Sequence, residues 1–321
     1  MQNTPLVSVI ALCYNQAEYI EEAVVSVFNQ SYTNIELILV NDASTDESKS
    51  VIEQICRNYP QIVFINQEAN LGMCRSFNNA LKVAKGEFII DLACDDYFET
   101  DKIYKQVKAF EDLDKSWGVV YTDAWLLNHQ NKTKKTFFKR NGLGELLEPV
   151  LSGYVFTDVV KKYQICSATM LVRKEVLDEL GGYDPSLKYE DYDFFIRASR
   201  KFKFYFLDFI STIKREVNNS DSYSWYKRGE NLHLSSTATI LRKYLWLCRS
   251  EEEKLAALSS IRYHMRQALY MECFSLVQDY FELLKVLKQI SILDRFCLFL
   301  AKREVSFYSY YSFYRKLRGF K

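Results

Sequence analysis

The chain has 321 residues, of which 48% are hydrophobic and 15% aromatic, so it is too apolar for a disordered protein and long enough for one large and one smaller domain. Its formal net charge of +1 provides no global field that would capture nucleic acid, and no nucleic-acid partner is expected. No apolar run approaches the roughly 20 residues that span a bilayer as a helix.

The cysteines and the N-terminus bear on the cellular compartment. The eight cysteines include no C-x-x-C pair, and the three histidines are widely separated. Buried free thiols in a reducing cytosol are therefore expected, rather than a disulfide framework or a zinc site. No basic region followed by an apolar stretch opens the chain, so we expect no secretory signal and a cytoplasmic location.

The N-terminal third of the chain alternates between strand and helix patterns. Short apolar runs predict strands at residues 7–12, 35–40, 62–65 and 88–92. Apolar residues at helical spacing predict the intervening helices at residues 18–28, 46–59 and 76–85. Strands that alternate with helices of this length indicate βαβ units and a parallel sheet.

The pattern changes in the rest of the chain. We predict two strands joined by a hairpin, at residues 117–127 and 135–139, followed by a loop over a site at residues 140–165. A further strand at residues 167–172 and a helix at residues 174–180 come next. Helical periodicity is sustained from about residue 225, and Ser250 is predicted to cap one helix. The expected domains are residues 1–220 and a helical appendage over residues 221–321.

Asp95 and Asp96 directly follow the strand pattern of residues 86–94. We expect the pair at the exposed carboxyl end of a buried strand, the edge of an open α/β sheet at which ligands bind. Adjacent carboxylates repel each other unless a cation lies between them, and a hard divalent ion held together with substrate phosphates resolves this repulsion. An exposed acidic turn is the alternative, and the position after a strand favours the ion site.

Tyr14 and Asp42 follow the first two predicted strands, so they should reach the same edge of the sheet. A carboxylate there can accept an N–H from a base such as uracil, and a tyrosine can stack on its ring. A polar turn over residues 42–46 that caps the next helix is the alternative for Asp42. Arg75 stands just before a predicted helix and could stack on a base or pair with a phosphate, although most single arginines are solvated.

Three carboxylates, Glu190, Asp191 and Asp193, lie within four residues and precede an apolar helical pattern. One interpretation places them in the first turn of a helix, where the helix dipole stabilises acidic side chains. That interpretation still allows one of them to act in catalysis, with Asp191 or Glu190 as a general base.

Together these residues resemble family 2 glycosyltransferases with the GT-A fold, a Rossmann-like α/β architecture with a mixed sheet flanked by helices. The similarity covers about residues 6–215, and its motifs are specific jointly rather than singly. The segments that carry it are residues 7–10 with 14–15, 26–32, 36–46, 70–72 with 78, 86–87 with 95–96, 181–184, and 190–191 with 197.

The resemblance implies roles for the matched residues of the donor site. Tyr14 and Asp42 would contact the base of a nucleotide-sugar, with help from Arg75. Asp95 would hold the ribose or the metal, and Asp96 would hold the metal, either Mg²⁺ or Mn²⁺.

On the acceptor side, the resemblance implies that Asp191 is the catalytic base. The chain departs from the family pattern in two places. Ala93 occupies the position at which many members carry the first aspartate of D-x-D. Residues 214–220 lack a histidine often found there, which leaves Arg215 as a candidate contact for the diphosphate.

The expected function is inverting transfer of a sugar from a nucleotide-diphosphate donor, a UDP-sugar, to a hydroxyl of a glycan or lipid-linked acceptor in surface polysaccharide synthesis. A catalytically silent member that binds nucleotide-sugar or glycan is the alternative, and only Ala93 and the missing histidine support it. A nucleotidyltransferase is disfavoured, because the chain lacks an early glycine-rich, basic phosphate loop.

The C-terminal residues 295–321 combine seven Lys/Arg and one Glu with nine Phe/Tyr. This mixture favours peripheral association with an anionic membrane surface, at the inner face of the cytoplasmic membrane. Packing of the aromatic residues within the helical region or against a homodimer partner is an alternative of nearly equal weight. A nucleic-acid patch is a weaker one.

Overall fold

The computed structural model describes residues 4–128, 133–216 and 227–317. The predicted hairpin turn at residues 129–132, residues 217–220 of the segment that lacks the histidine, and residues 318–321 of the predicted membrane tail lie outside these ranges. Internal contacts divide the chain into two compact units. The first comprises Met1–Val155, Gln164–Pro185 and Arg197–Val217, and the second comprises Phe156–Tyr163, Ser186–Ile196 and Asn218–Lys321.

The first unit is built on one mixed sheet, to which the described residues contribute nine strands. In spatial order the strands run β3-β2-β1-β4-β8-β6-β9-β5, and β7 pairs with β6. The first four are parallel to one another, whereas β8 is antiparallel to both of its neighbours. The strands are β1 Val7–Cys13, β2 Ile35–Asn41, β3 Val63–Asn66, β4 Phe88–Ala93, β5 Tyr97–Phe98, β6 Trp117–Asn128, β7 Thr133–Thr136, β8 Leu171–Arg173 and β9 Lys203–Glu216.

Helices flank the sheet in the first unit and make up most of the second. The first unit holds α1 to α4, α6 and the end of α7, and the second holds α5, the start of α7 and all later helices. They are α1 Ile20–Phe28, α2 Ser48–Asn58, α3 Met73–Leu81, α4 Lys102–Glu111, α5 Phe156–Val159, α6 Lys174–Leu180, α7 Glu190–Ser199, α8 Leu232–Leu247, α9 Glu251–Ala256, α10 Leu258–Tyr270, α11 Phe274–Val286, α12 Ile292–Lys302 and α13 Tyr308–Leu317.

Most of the predicted elements are confirmed within a few residues, and three need correction. The segment predicted as a loop at residues 140–165 contains the short helix α5. The strand predicted at residues 167–172 is a 3₁₀ turn over Ser167–Thr169 followed by the short strand β8. The third helix begins at Met73 rather than at residue 76, because Gly72 with a φ of 80° ends the preceding loop. Arg75 therefore lies in the first turn of α3.

The core of the first unit lies between the sheet and its helices. Strand β1 is buried along its whole length, as its nearly continuous apolar sequence predicts. Val9 packs in one cluster with Val24 of α1 and Ile103 of α4. The eight cysteines all lie in the described ranges, where none of them forms a disulfide and five are buried.

The second unit joins the C-terminal helices to two earlier segments of the chain. Phe156 of α5 stacks on Tyr244 of α8, with their ring centroids 4.6 Å apart. The hydroxyl of Tyr192 in α7 donates to the backbone oxygen of Val160 at 3.2 Å. Ser250 caps α9 as predicted, accepting the N–H of residue 253 at 3.1 Å. No helix of the described ranges is long and apolar enough to cross a membrane.

Candidate active site

The carboxyl ends of three adjacent strands form one edge of the sheet in the first unit. Strand β1 lies between β2 and β4, and residue Cys13 is level with Asn41 while Leu12 is level with Ala93. Tyr14, Asp42 and Asp95 follow these strand ends directly or by one residue. The parallel alignment therefore brings the loops that carry the predicted donor-site residues to the same edge.

Asp42 organises the loop that precedes α3. Its carboxylate accepts the N–H of Leu71 at 2.8 Å through Oδ1 and the N–H of Gly72 at 2.9 Å through Oδ2. The residue is only 5% exposed. Each oxygen keeps a second lone pair, so the carboxylate can accept one more N–H while it holds the loop.

The loops after β1 and β2 are joined by side-chain hydrogen bonds. Asn15 Oδ1 accepts the N–H of Thr45 at 2.7 Å, and the N–H of Asn15 donates to Ser44 Oγ at 3.0 Å. Asn15 and Ala43 both adopt a φ of 54°, a left-handed conformation that is uncommon for alanine. Strained backbone of this kind clusters at functional sites.

The two remaining predicted base contacts lie at the surface. Tyr14 is 47% exposed, and Arg75 is exposed in the first turn of α3. A ring and a guanidinium in such positions can reach a nucleotide without rearrangement of the core.

Asp96 is buried, although it follows the strand end that we expected to be exposed. It is 2% exposed, whereas Asp95 is partly exposed. Asp96 Oδ1 accepts the backbone N–H of Arg215 at 2.9 Å, and Lys214 Nζ lies 3.9 Å from Oδ2. Burial raises the pKa of Asp96 to about 7, with Lys214 opposing the shift and the Asp95 charge adding to it.

The donor set of Asp95 and Asp96 fits a divalent ion that is shared with a substrate. In the ranges 4–128, 133–216 and 227–317, no group of three or more His, Cys, Asp or Glu could hold an ion by itself. Mg²⁺-type sites commonly use one or two carboxylates plus the phosphates of the ligand. Burial disfavours both charges, raising the pKa of Asp95 as well, and a cation would relieve this cost.

Arg215 is held within the first unit by several groups. Its guanidinium donates to the backbone oxygen of Asp95 at 2.6 Å and forms an ion pair with Glu22. It also lies over the rings of Tyr19 and Tyr97, at 5.1 and 4.5 Å from their centroids. From the sequence Arg215 is a candidate diphosphate contact, but these partners make it an anchor for the acidic loop.

Lys214 is the cation that the sequence argument missed. Its side chain is 42% exposed next to Asp96, whereas that of Arg215 is 3% exposed. Adjacent residues of a strand point to opposite faces, so only one of the two can face the ligand side of the acidic pair. Since side chains alternate along a strand, the sequence of β9 could have indicated that Lys214 and Arg215 face opposite sides.

Asn78 and Arg197 clamp the glycine turn of residues 181–184. The side chain of Asn78 accepts the N–H of Tyr183 at 2.9 Å and donates to its backbone oxygen at 2.8 Å. The Arg197 guanidinium donates to the oxygens of Leu180 and Gly182, both at 2.9 Å. These motif residues therefore shape the chain just before the acidic segment.

The acidic segment forms the first turn of α7, as one interpretation predicted. Asp193 is buried and pairs with Lys243 at 2.8 Å. Asp191 is partly exposed within the second unit. Its Oδ2 accepts a hydrogen bond of 2.6 Å from the hydroxyl of Tyr163, a residue that the sequence argument did not single out.

Comparison with known proteins identifies the family. The family model for glycosyl transferase family 2 matches residues 8–181, more than half of the chain. The chain belongs to glycosyl transferase family 2. An uncharacterised glycosyltransferase of Haemophilus influenzae is 28% identical over 268 residues, covering 83% of this chain and 96% of that protein.

The chain is also similar to a relative named for teichuronic acid biosynthesis and to solved structures. The putative teichuronic acid biosynthesis glycosyltransferase TuaG of Bacillus subtilis is 38% identical over 104 residues, 32% of this chain and 41% of that protein. S. aureus TarS, solved with UDP-GlcNAc, matches with a TM-score of 0.67 at 20% identity, covering 93% of this chain and 88% of that one.

A second solved neighbour is the mannosyltransferase PcManGT from Pyrobaculum calidifontis, in complex with GDP-Man and Mn²⁺. It matches with a TM-score of 0.59 at 16% identity, covering 94% of this chain and 81% of that one. At these identities the structural likeness establishes the fold alone, and it confirms the predicted GT-A architecture with additional C-terminal helices. Family membership confirms the prediction that the protein is a glycosyltransferase.

Proposed function

We propose that this family 2 glycosyltransferase inverts the anomeric centre as it transfers a sugar from a UDP-sugar to a hydroxyl of a glycan or lipid-linked acceptor in surface polysaccharide synthesis. The observation that carries this proposal is the acidic pair Asp95–Asp96 at the carboxyl end of β4, within reach of the cation Lys214. TarS with UDP-GlcNAc and the similarity to TuaG support the donor class and the polysaccharide setting.

In the proposed donor site, Tyr14 and Arg75 contact the base from the surface of the first unit. Asp42 accepts an N–H of the base with a free lone pair while its other acceptor positions hold the loop before α3. Asp95 binds the ribose or the metal. Lys214 contributes positive charge toward the diphosphate, the role that the sequence argument gave to Arg215.

Asp96 and Asp95 are the residues that would hold Mg²⁺ or Mn²⁺. When bound, the ion neutralises the charge that grows on the departing nucleoside diphosphate. The backbone N–H of Arg215 fixes the orientation of the Asp96 carboxylate for this task. The Mn²⁺ named with PcManGT supports a divalent ion in this fold.

Asp191 is the proposed general base. It removes the proton from the acceptor hydroxyl while the acceptor oxygen attacks the anomeric carbon from the face opposite the leaving diphosphate. A base of this kind contributes roughly 10²–10⁴-fold to the rate. The partial exposure of Asp191 at the start of α7 leaves it accessible to a hydroxyl group.

The test begins with a thermal-shift screen of sugar nucleotides with MnCl₂ and selects the one with the largest shift. Asp191→Asn should then lower nucleotide release by roughly 10²-fold or more without weakening donor binding. Asp96→Asn keeps an acceptor for the Arg215 N–H but should abolish the Mn²⁺-dependent shift. The exposed Asp112→Asn is the control. Turnover by Asp191→Asn close to that of the wild type would refute the assignment of the base.

We also propose that the C-terminal helices bind the anionic inner surface of the cytoplasmic membrane. Helix α13 exposes Tyr310, Phe313, Tyr314 and Leu317, at the spacing of one continuous helical stripe. Helix α12 exposes four apolar side chains in the same way, namely Ile292, Leu293, Phe296 and Phe299.

Charge supports the membrane rather than a homodimer as the proposed partner of this apolar surface. Arg295, Lys302 and Arg303 are exposed on or next to α12, and the guanidinium of Arg303 lies over the Phe299 ring at 5.4 Å. Cations beside exposed aromatic rings match anionic headgroups above an apolar boundary. In an isologous dimer the same cations would face their own copies.

A further inference from the structure

The carboxylate of Asp191 is held through both of its oxygens. The Tyr163 hydroxyl donates to Oδ2 at 2.6 Å, and the backbone N–H of Tyr192 donates to Oδ1 at 2.7 Å. With one donor on each oxygen, rotation of the carboxylate about its terminal bond breaks at least one short hydrogen bond. The group therefore has one favoured orientation.

The hydroxyl of Tyr163 is itself fixed by the packing of its ring. The ring centroid of Tyr163 lies 5.6 Å from that of Tyr189 and 5.7 Å from that of Phe195, both in tilted arrangements. These distances are typical of favourable aromatic pairs. Phe195 is 1% exposed, so one side of the Tyr163 ring rests on the core of the second unit.

The backbone around Asp191 is also anchored within the second unit. The buried carboxylate of Asp193 forms an ion pair with the partly exposed Lys243 of α8 at 2.8 Å. The N–H of Lys188 donates to Ser236 Oγ of the same helix at 2.9 Å. The start of α7 thus cannot shift without breaking these bonds to α8, which holds the backbone around Asp191 in place.

We propose that Tyr163 is a positioning residue that orients Asp191 for proton abstraction. This inference rests on the proposed function, in which Asp191 is the general base. A carboxylate oxygen that accepts one hydrogen bond keeps lone-pair capacity for the acceptor hydroxyl. Holding a base in a productive geometry lowers the barrier, and a misplacement of about 1 Å can cost roughly 10²-fold.

The proton and electron balance of the step leaves Tyr163 unchanged. The acceptor hydroxyl gives its proton to Asp191 while its oxygen forms a bond to the anomeric carbon. The bond from that carbon to the diphosphate oxygen breaks, and its electron pair leaves with the nucleoside diphosphate. Tyr163 keeps its own proton and donates the same hydrogen bond before and after transfer.

The test compares Tyr163→Phe with Tyr280→Phe. Each variant removes one tyrosine hydroxyl that donates a 2.6 Å hydrogen bond in the second unit, to Asp191 in one case and to the backbone oxygen of Leu234 in the other. With the sugar nucleotide selected by thermal shift, we expect Tyr163→Phe to lower the kcat of nucleotide release by roughly 10- to 100-fold. The KM for the donor should be unchanged. Tyr280→Phe should keep the wild-type kcat at a temperature at which both variants are folded.

A double-variant cycle separates positioning from stability. In the Asp191→Asn background, Tyr163→Phe should have no further effect on kcat, because the base that it positions is gone. Equal kcat values for Tyr163→Phe and Tyr280→Phe would overturn the inference, as would an equal loss with and without Asp191. If Asp191→Asn itself has wild-type turnover, the failure lies with the proposed function.

Discussion

At the scale of single residues, Lys102 shows how the fold changes the chemistry of a group that a sequence presents as an ordinary surface cation. The residue is fully buried at the start of α4. Its amino group donates to the Thr169 backbone oxygen at 3.0 Å and to the hydroxyls of Ser211 and Thr212, both at 3.3 Å. Burial lowers the pKa of Lys102 to about 7, because neutral oxygens replace water around the charge.

We predict that stability rises between pH 7 and pH 9 more steeply in the wild type than in Lys102→Met. The unfolded chain keeps the lysine proton up to pH 10.5, whereas the folded protein releases it near pH 7. The unfolded state therefore binds more protons throughout this window, and the free energy of unfolding rises by up to about 1.4 kcal/mol per pH unit. Urea unfolding of both proteins at pH 7, 8 and 9 measures the difference.

The control is Lys105→Met, at a partly exposed position of the same helix, which should retain the slope of the wild type. Methionine at position 102 leaves no partner unsatisfied. The Thr169 oxygen still accepts from Gln106 at 2.8 Å, and Ser211 still bonds to Thr122 at 2.6 Å. An unchanged pH slope in Lys102→Met would show that the amino group is charged in the folded protein.

For the acidic pair, the position in the fold could be predicted from the sequence, but the burial of Asp96 could not. The sequence places Asp95 and Asp96 after a strand, and the structure finds them there. The burial of Asp96 comes from β9, more than a hundred residues away, whose backbone donates to its carboxylate. The choice between Lys214 and Arg215 depends on the register of that strand, which a pattern of residue types does not specify.

At the scale of elements, the turn after α6 depends on the absence of a side chain at one glycine. Gly181 and Gly182 adopt φ values of 72° and 74°. A Cβ on Gly182 would lie 2.2 Å from Asn78 Oδ1, whereas a Cβ on Gly181 would meet no atom within 4 Å. The two glycines therefore share a backbone conformation and differ in the room available for a side chain.

We predict that Gly182→Ala destabilises the protein clearly more than Gly181→Ala. Both substitutions place alanine in a left-handed conformation, at a cost of roughly 1 kcal/mol. Gly182→Ala also displaces the Asn78 side chain, which loses its hydrogen bonds to Tyr183, at a further cost of about 1–3 kcal/mol. Thermal or urea unfolding measures both variants, and equal losses would show that the clamp contributes nothing to stability.

Periodicity predicted elements well where one rule governs a whole segment. Strand β1 is apolar throughout and buried throughout, and α2 follows its helical spacing. The strand prediction for residues 167–172 was wrong because groups in this segment form hydrogen bonds to distant parts of the chain. Thr169 bonds to β6 through its side chain and to Lys102 and Gln106 through its backbone oxygen. Local propensity is overridden in such a segment.

At the scale of the whole molecule, the second unit is assembled from three separate stretches of the chain. Short segments at residues 156–163 and 186–196 pack with the C-terminal helices, and the second of them carries Asp191. The sequence presents these stretches far apart, and from it we expect a division at residue 220. Contacts between distant segments, such as Asp193 with Lys243, have no signature in composition or periodicity. The C-terminal helices therefore pack against the segment that carries the proposed base, and they also form the apolar surface proposed to bind the membrane.

That surface permits a test of membrane association with matched aromatic changes. Phe296 is 55% exposed on α12 and Phe313 is 64% exposed on α13. Replacing both by serine removes two side chains whose insertion would each contribute roughly 1.5–3 kcal/mol. We predict that flotation with phosphatidylglycerol vesicles falls at least tenfold in the double variant. Trp246→Ser, at a residue 85% exposed on α8, should float like the wild type.

The dependence of binding on lipid and salt distinguishes a membrane from a second copy of this chain as the partner of the surface. Binding should be strong to phosphatidylglycerol, weak to phosphatidylcholine, and lower in 0.5 M NaCl, because the attraction of Arg295, Lys302 and Arg303 to headgroups is screened by salt. Light scattering coupled to size exclusion measures the mass of each variant in the same buffers. A dimer that dissociates in the double variant, combined with no flotation of the wild type, would assign the surface to a second copy of this chain instead.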